Sequence, residues 1–212
     1  MTSIKVHKPR VKKISYNFVK DVKDYFKNAD LVKDYIISGS SSIWWALTFI
    51  FIPMYIIENG LGVQWVAYFL FAIVAPLVMF EYYFSKKTNT WGFKKLFVMG
   101  NLIPLIVLIG CFFVSNIYWL LGLMVLGTVG IAMVEATSEA YFFFVAPKKQ
   151  PEKYYSIYNT TLDVFSFIGK IVIAGLLIFF TLKISFLFLA LIFGLFTIVS
   201  SRMKEVNGKI SE

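Results

Sequence analysis

Long apolar stretches alternate with short polar segments along most of this chain. A helix needs about 20 mostly apolar residues, each rising about 1.5 Å, to cross a bilayer. Six stretches have that length: 37–57, 63–84, 95–114, 117–145, 160–182 and 184–201. The pattern therefore predicts an all-α, polytopic membrane protein whose six transmembrane helices form one bundle over residues 37–202.

The region before the first apolar stretch has a different pattern. Between residues 16 and 36, apolar side chains recur at helical spacing, and lysines and aspartates occupy the other positions. We interpret 16–36 as an amphipathic cytoplasmic helix that lies on the inner leaflet or braces the bundle, with a solvated linker helix as the alternative. The serines of 38–42 are expected to loosen the chain where the first span begins. Residues 1–15 are predicted to be a disordered basic tail, and 203–212 a cytoplasmic tail.

Lysine and arginine are concentrated on one side of the predicted spans. Segments 1–40, 85–95, 146–159 and 202–212 contain nine, four, three and three of these residues, which is 19 of the 21 in the chain. The connections on the opposite side are short, and Lys183 is their only basic residue. By the positive-inside rule, this distribution predicts that both termini are cytoplasmic and that the protein lies in the plasma (inner) membrane.

The overall composition narrows the functional classes. With 58% apolar and only 16% charged residues, one soluble core could not bury so much apolar surface. The net charge of +9 is explained by the membrane topology, so nucleic-acid binding is not expected. Cys111 and His7 are the only residues of their types, and no phosphate-binding glycine loop is present. We therefore predict no metal, no cofactor and no enzymatic activity.

Four ionisable residues lie inside the predicted spans, where a charge costs about 2.5–3.5 kcal/mol at a helix centre. They are Glu135 and Glu139 on the fourth span and Asp163 and Lys170 on the fifth. Counting about 1.5 Å per residue puts Glu135 and Lys170 at similar depths, so we expect them to pair. Such a pair could act in gating or in proton or substrate coupling, or it could be a fixed structural ion pair.

The connection between the second and third spans resembles a cytoplasmic loop of the major facilitator superfamily of transporters. That loop has the pattern G-x-L-A-D-R-x-G-R-K, and here Ser85 stands where the family has aspartate and Glu81 where it has glycine. The residues of the loop motif in this chain are Glu81, Ser85, Lys86, Lys87, Gly92, Lys94 and Lys95. With its six spans, lead-in helix and outer turn at 57–62, the chain is most similar to the C-terminal half of such a transporter.

This resemblance implies a function. A six-helix half would act with a second half, which is a copy of this chain, a partner chain or a missing N-terminal half, and would move a small solute by alternating access. In the family the first and fourth helices line the cavity, which makes Tyr55 and Glu135 candidates. The loop would contact the opposite half, so that Lys86 or Lys87 meets Asp163 of a paired copy. The alternative function is a non-transporting membrane scaffold or a degenerate transporter remnant.

Overall fold

The computed structural model describes residues 18–148 and 151–205, and every regular element in these ranges is helical. The predicted tail at 1–15 lies outside the described residues, as does most of the predicted tail at 203–212. The elements, in chain order, are α1 (Phe18–Lys27), α2 (Ala29–Ala46), a π-helical segment (Leu47–Phe51), α3 (Ile52–Glu58), α4 (Val63–Trp91), α5 (Phe93–Phe113), α6 (Ile117–Val145), α7 (Pro151–Phe179) and α8 (Leu182–Ser201).

Six helical rods are long and apolar enough to cross a membrane. The first is composite and runs from Ala29 to Glu58 through α2, the π-helical segment and α3, and the other five are α4 to α8. Each rod contains or closely matches one of the six predicted stretches, so the prediction of an all-α, multi-pass integral membrane protein is confirmed.

The lead-in helix is shorter than predicted. It ends at Lys27, because Asn28 adopts an extended backbone (φ −85°, ψ 108°) and caps the start of α2. The Asn28 Oδ1 accepts hydrogen bonds from the backbone N–H groups of Asp30 (3.0 Å) and Leu31 (3.4 Å), which satisfies two donors that the new helix would leave unpaired. The predicted helix over 16–36 is therefore two helices with a boundary at Asn28.

The serine-rich segment does not loosen the chain, which corrects the prediction. Residues 38–42 lie inside α2 and are buried. Ser40 and Ser41 donate to the carbonyl oxygens of Ile37 (2.7 Å) and Ser38 (3.0 Å), so their hydroxyls are satisfied within the helix. The ring of Phe165 from α7 packs directly on Gly39, where no larger residue would fit. Small residues here allow α2 and α7 to approach closely.

The predicted loop between the second and third spans is also mostly helical. Helix α4 continues to Trp91, and α5 begins at Phe93, so Gly92 alone forms the connection. Gly92 has a φ of +76°, a left-handed conformation that favours glycine. Lys86 lies over the ring of Tyr82 at 4.9 Å, and Lys87 lies over that of Trp91 at 5.3 Å. The lysines thus extend from the end of a helix rather than from a flexible turn.

Helices that follow one another in sequence are not the closest neighbours in the bundle. Helix α7 packs mainly on α2, with little contact to α6 or α8, and α4 packs mainly on α6. Helix α5 packs along both α6 and α8. The bundle therefore has a closed back, formed by α5 and α8, and a front to which α4, α6, α2 and α7 contribute.

The back of the bundle is tightly packed. At the crossing of α5 and α6, a Cβ atom on Gly130 would lie 2.6 Å from the carbonyl oxygen of Gly100, so the two backbones are nearly in contact. Asn101 on α5 donates through Nδ2 to Ser200 Oγ on α8 at 3.3 Å. Small residues and one interhelical hydrogen bond thus hold α5 against both of its neighbours.

The π-helical segment interrupts the first span beside a proline. Pro53 has no backbone N–H, so it cannot complete the regular hydrogen-bond ladder to the preceding turn. The segment Leu47–Phe51 widens the helix just before this residue, and α3 then resumes with Pro53 in its first turn. Such local widenings are frequent at functional sites. Here the segment directly follows Trp44 and Trp45.

Candidate functional site

A polar cavity of about 340 Å³ lies in the lysine-rich half of the bundle, between α2, α6 and α7. Its lining is formed by Ser38, Ser41, Glu135, Ser138, Glu139, Tyr155, Tyr158, Asn159, Thr161 and Leu162. All but one of these residues have a polar side chain, within a chain whose spans are otherwise apolar. Two of the four predicted ionisable residues, Glu135 and Glu139, are therefore brought together in this polar cavity.

Glu135 is held by a tryptophan. The Trp45 Nε1–H donates to Glu135 Oε1 at 2.6 Å, a short distance typical of a hydrogen bond to a charged acceptor. The indole ring of Trp45 also stacks on Phe49, with 5.1 Å between the ring centroids. Glu81, which the loop pattern singled out, lies on α4 close enough for its charge to act on Glu135. The carboxylate is thereby oriented by α2 and exposed to a second acidic group from α4.

Glu139 lies one turn closer to the lysine-rich end of α6. Its Oε1 accepts a hydrogen bond of 2.7 Å from the hydroxyl of Tyr155 on α7. Tyr155 in turn stacks on Phe143, and Tyr158 stacks on Phe142, with centroid distances of 5.3 and 4.7 Å. These aromatic pairs connect α6 and α7, and their two tyrosines line the polar cavity.

The expected ion pair between Glu135 and Lys170 does not form. The ion pairs of the described residues join Lys27 to Asp24, Lys33 to Asp30, Lys153 to Asp21, and Lys204 to Asp30. Lys170 lies on the exposed side of α7, as does Asp163. The depth estimate could not reveal this, because α7 packs mainly on α2 and has little contact with α6.

Lys170 and Asp163 instead belong to a polar stripe along α7. Tyr155, Asn159, Asp163, Ser166 and Lys170 recur every three or four residues and therefore share one face of the helix. Tyr155 and Asn159 line the polar cavity, and the other three continue the stripe toward the opposite end. The stripe thus carries polar groups from the cavity deep into the span.

The remaining predicted residues are dispersed. Tyr55 lines a separate pocket of about 470 Å³ near the opposite end of the bundle, between α3 and the connection of α7 to α8, and does not approach Glu135. The other residues of the loop motif surround the single-residue connection at Gly92: Ser85, Lys86, Lys87, Lys94 and Lys95. The described residues contain no group of three or more His, Cys, Asp or Glu side chains arranged to hold a metal ion.

No family model, curated protein or solved structure matches the chain. Function is therefore inferred from the side chains themselves.

One buried acid was missed in the sequence analysis. Asp34 on α2 is completely buried, although its position in the lysine- and aspartate-rich lead-in suggested a solvated face. A signal was present: Asp34, Ser38, Ser41 and Trp45 recur at intervals of four, three and four residues, so they form one polar stripe on α2. Ser38 and Ser41 of this stripe line the polar cavity, and the stripe ends at the tryptophan that donates to Glu135.

Proposed function

We propose that this chain is one half of a secondary transporter of the major facilitator type, which moves a small solute by alternating access together with a second six-helix half. The observation that carries the proposal is the exposed charge on α7. Lys170 and Asp163 lie on the open front of the bundle, within a helix whose apolar window is only 11% buried. Charged side chains within a span normally face protein or a water-filled cavity rather than lipid.

The depth of Lys170 strengthens this point. At about 1.5 Å per residue, it lies roughly 15 Å beyond Thr160, the predicted inner edge of the span. The side chain is thus too far from that edge to be an ordinary membrane-boundary lysine. A second half placed against α4 and α7 would cover this charge and convert the open front into the wall of a central cavity.

The packing order of the helices supports the same proposal. The first span can be matched with α6, α4 with α7, and α5 with α8. Under this matching, the α2–α7 contact corresponds to the α6–α4 contact, and the α5–α8 contact corresponds to itself. Each half of a major facilitator transporter is built from two three-helix repeats of inverted topology. The α2–α7, α4–α6 and α5–α8 contacts agree with such repeats, whereas the α5–α6 contact is much more extensive than its counterpart between α2 and α8.

The polar cavity would supply the chemistry of recognition. Glu135, Glu139 and the hydroxyls around them could bind a cationic or hydroxyl-bearing solute near α6, and Lys170 could bind an anionic group across the cavity. The proposal includes a plasma (inner) membrane location with both termini cytoplasmic, so that the polar cavity opens toward the cytoplasm. It is based on the 19 basic residues in the sequence segments that are predicted to lie on the cytoplasmic side.

Pairing of two copies is tested by disulfide trapping. Cysteines at positions 86 and 163 would be introduced together into a chain with Cys111→Ala, which removes the buried native cysteine. An intermolecular disulfide is expected, because Lys86 and Asp163 would meet across paired halves. Cysteines at 106 and 163 form the control, since Ile106 is exposed on the back of the bundle. Equal cross-linking of both pairs would contradict the arrangement.

Transport itself is tested with solutes. Purified protein would be screened by thermal shift against amino acids, sugars, nucleosides and organic cations, and any stabilising solute would then be tested by counterflow in proteoliposomes. Counterflow above that of protein-free vesicles, lost in Glu135→Gln, is the expected result. If no solute stabilises the protein or exchanges across the membrane, either alone or with co-expressed partner chains, the chain is a scaffold and not a transporter half.

A further inference from the structure

The buried carboxyl group of Asp34 is not used by the proposed function. It lies on α2 at the lysine-rich end, beneath α1 and against α6 and α7, with no exposed surface. Neither of its two oxygens makes a hydrogen bond of regular distance and angle, and the hydroxyl that interacts with the carboxyl group is that of Ser38, one turn along α2. A carboxylate ion in such a place would lose its hydration without compensation, whereas a protonated carboxyl group is neutral and much less costly to bury.

The groups around Asp34 are hydroxyls. The hydroxyl groups of Tyr25 from α1, Tyr141 from α6 and Tyr158 from α7 all lie within electrostatic range of the Asp34 carboxyl group. Burial raises the pKa of the Tyr25 hydroxyl above its ordinary value, so this group stays neutral at physiological pH. The Tyr141 hydroxyl also has no hydrogen-bond partner.

Charged groups close to this site in sequence or on α1 form ion pairs with other residues. Asp21 of α1 pairs with Lys153 of α7 at 3.7 Å. Asp30, one turn before Asp34, pairs with Lys204 beyond the end of α8 at 2.6 Å. None of the four ion pairs of the described residues includes Asp34. A lysine therefore does not provide the neutralising charge.

A route to the polar cavity is present. Ser38 lies one turn along α2 from Asp34, and its Oγ lies 3.3 Å from the hydroxyl oxygen of Tyr158. Both Ser38 and Tyr158 line the polar cavity, whereas Asp34 does not. The two hydroxyls therefore stand between the buried carboxyl group and the cavity, and hydroxyl groups can both donate and accept a proton.

We propose that Asp34 is a proton-binding site, which holds a proton at neutral pH and exchanges it with the polar cavity through the hydroxyls of Tyr158 and Ser38. The protonation state of this acid, at the lysine-rich end of the bundle, thus depends on exchange of protons with the polar cavity. The inference depends on the packing of α1, α2, α6 and α7 alone. It stands or falls separately from transport.

Infrared spectroscopy of the full chain in lipid nanodiscs tests the proposal. Protonated carboxyl groups have a C=O stretching band that is separate from those of carboxylate ions. At pH 7 we expect such a band, shifted by ¹³C-labelling of aspartate, present in the wild type and lost in Asp34→Asn. Asp24→Asn is the matched control, because Asp24 is a half-exposed residue of the neighbouring helix α1 that pairs with Lys27, and it should retain the band. Absence of an aspartate band in the wild type would overturn the proposal, even if Asp34→Asn failed to fold.

Two further measurements define the site. Tyr158→Phe keeps the ring that stacks on Phe142 but removes the hydroxyl, so deuterium exchange at the Asp34 band should slow severalfold. Unchanged exchange would exclude the proposed route. The same spectra are recorded in sodium and in choline salts: the band should be identical in both, and its loss in sodium at pH 7 would show that the site binds a metal cation instead.

Discussion

The back and the front of the bundle differ in how much of their apolar helix surface is buried within the protein. At the back, α5 lies between α6 and α8, and 44% of its apolar window is buried. At the front, α4 and α7 are only 17% and 11% buried over theirs, although they are just as apolar. The back is closed by small residues and matched surfaces. The front is open and includes charged side chains, so this part of the molecule requires a contact other than lipid to cover it.

The largest expected effect concerns the charge at the front. Lys170→Leu should make insertion of α7 more favourable by about 3 kcal/mol, because it removes a cation from within the span. The measurement is the inserted fraction of α7 in a glycosylation-mapping assay. Lys183→Leu is the control: this lysine is exposed at the start of α8, with its Nζ 3.2 Å from Ser115 Oγ, and should change insertion little. Equal effects of the two variants would place Lys170 at a membrane boundary.

A second prediction concerns the closed back. Gly130→Val should destabilise the protein by about 1–3 kcal/mol, because the added side chain would be forced into the backbone of α5 at Gly100. Thermal unfolding in detergent measures the loss. Gly122→Val on the same helix is the matched control, since a Cβ atom there meets nothing within 4 Å. If both variants lose equal stability, helix propensity and not close packing is the cause.

The two adjacent tryptophans of α2 allow the back and the front of the bundle to be compared within one helix. Trp44 is fully buried against Phe193 and donates to Thr128 Oγ1 at 3.0 Å, whereas Trp45 reaches Glu135 at the front. Trp44→Phe should cost about 2 kcal/mol of stability through a lost hydrogen bond and incomplete packing. Trp45→Phe should cost less, since its surroundings are already partly open. Thermal unfolding of both variants ranks them, and the reverse order would contradict the assignment.

The smallest effect is expected at the mouth of the polar cavity. Tyr155→Phe removes the hydrogen bond to Glu139 but keeps the ring stacked on Phe143. Because this bond is exposed to solvent, its loss should change stability by less than about 1 kcal/mol. Chemical denaturation in mixed micelles would detect a larger loss. A large loss would mean that the front is closed by this contact and not open.

Much of the fold could be predicted from local properties of the sequence. Apolar length determined the six spans, because a helix must cover the bilayer thickness whatever its neighbours are. Helix ends were less accurate. The lysines near Gly92 resembled a loop, but a helix that leaves the membrane carries such residues equally well. The serines of 38–42 resembled a break, but within a packed bundle their small size favours close contact with α7.

The candidate site was only partly predictable, because the sequence gives depth along a helix but not its partner. Glu135 and Glu139 were predicted as acids within a span, and the structure brings them into one polar cavity. The pairing of Glu135 with Lys170 was wrong, since it assumed that sequential helices are packed neighbours. Asp34 was missed for a related reason: its burial is produced by α1, α6 and α7, which are distant from it in sequence or turned back over it.

The π-helical segment at Leu47–Phe51 sets the rotation of α2 relative to α3 about the axis of the first span. A π turn contains one residue more than the α turn it replaces, and one residue corresponds to about 100° of rotation about the helix axis. If the segment changed to regular α-helix, the residues between Asn28 and Ala46 would rotate about the helix axis relative to α3. Trp45 would move away from Glu135, and Asp34 would rotate out from beneath α1. One local change of helix type would therefore remove the present contacts of both acids.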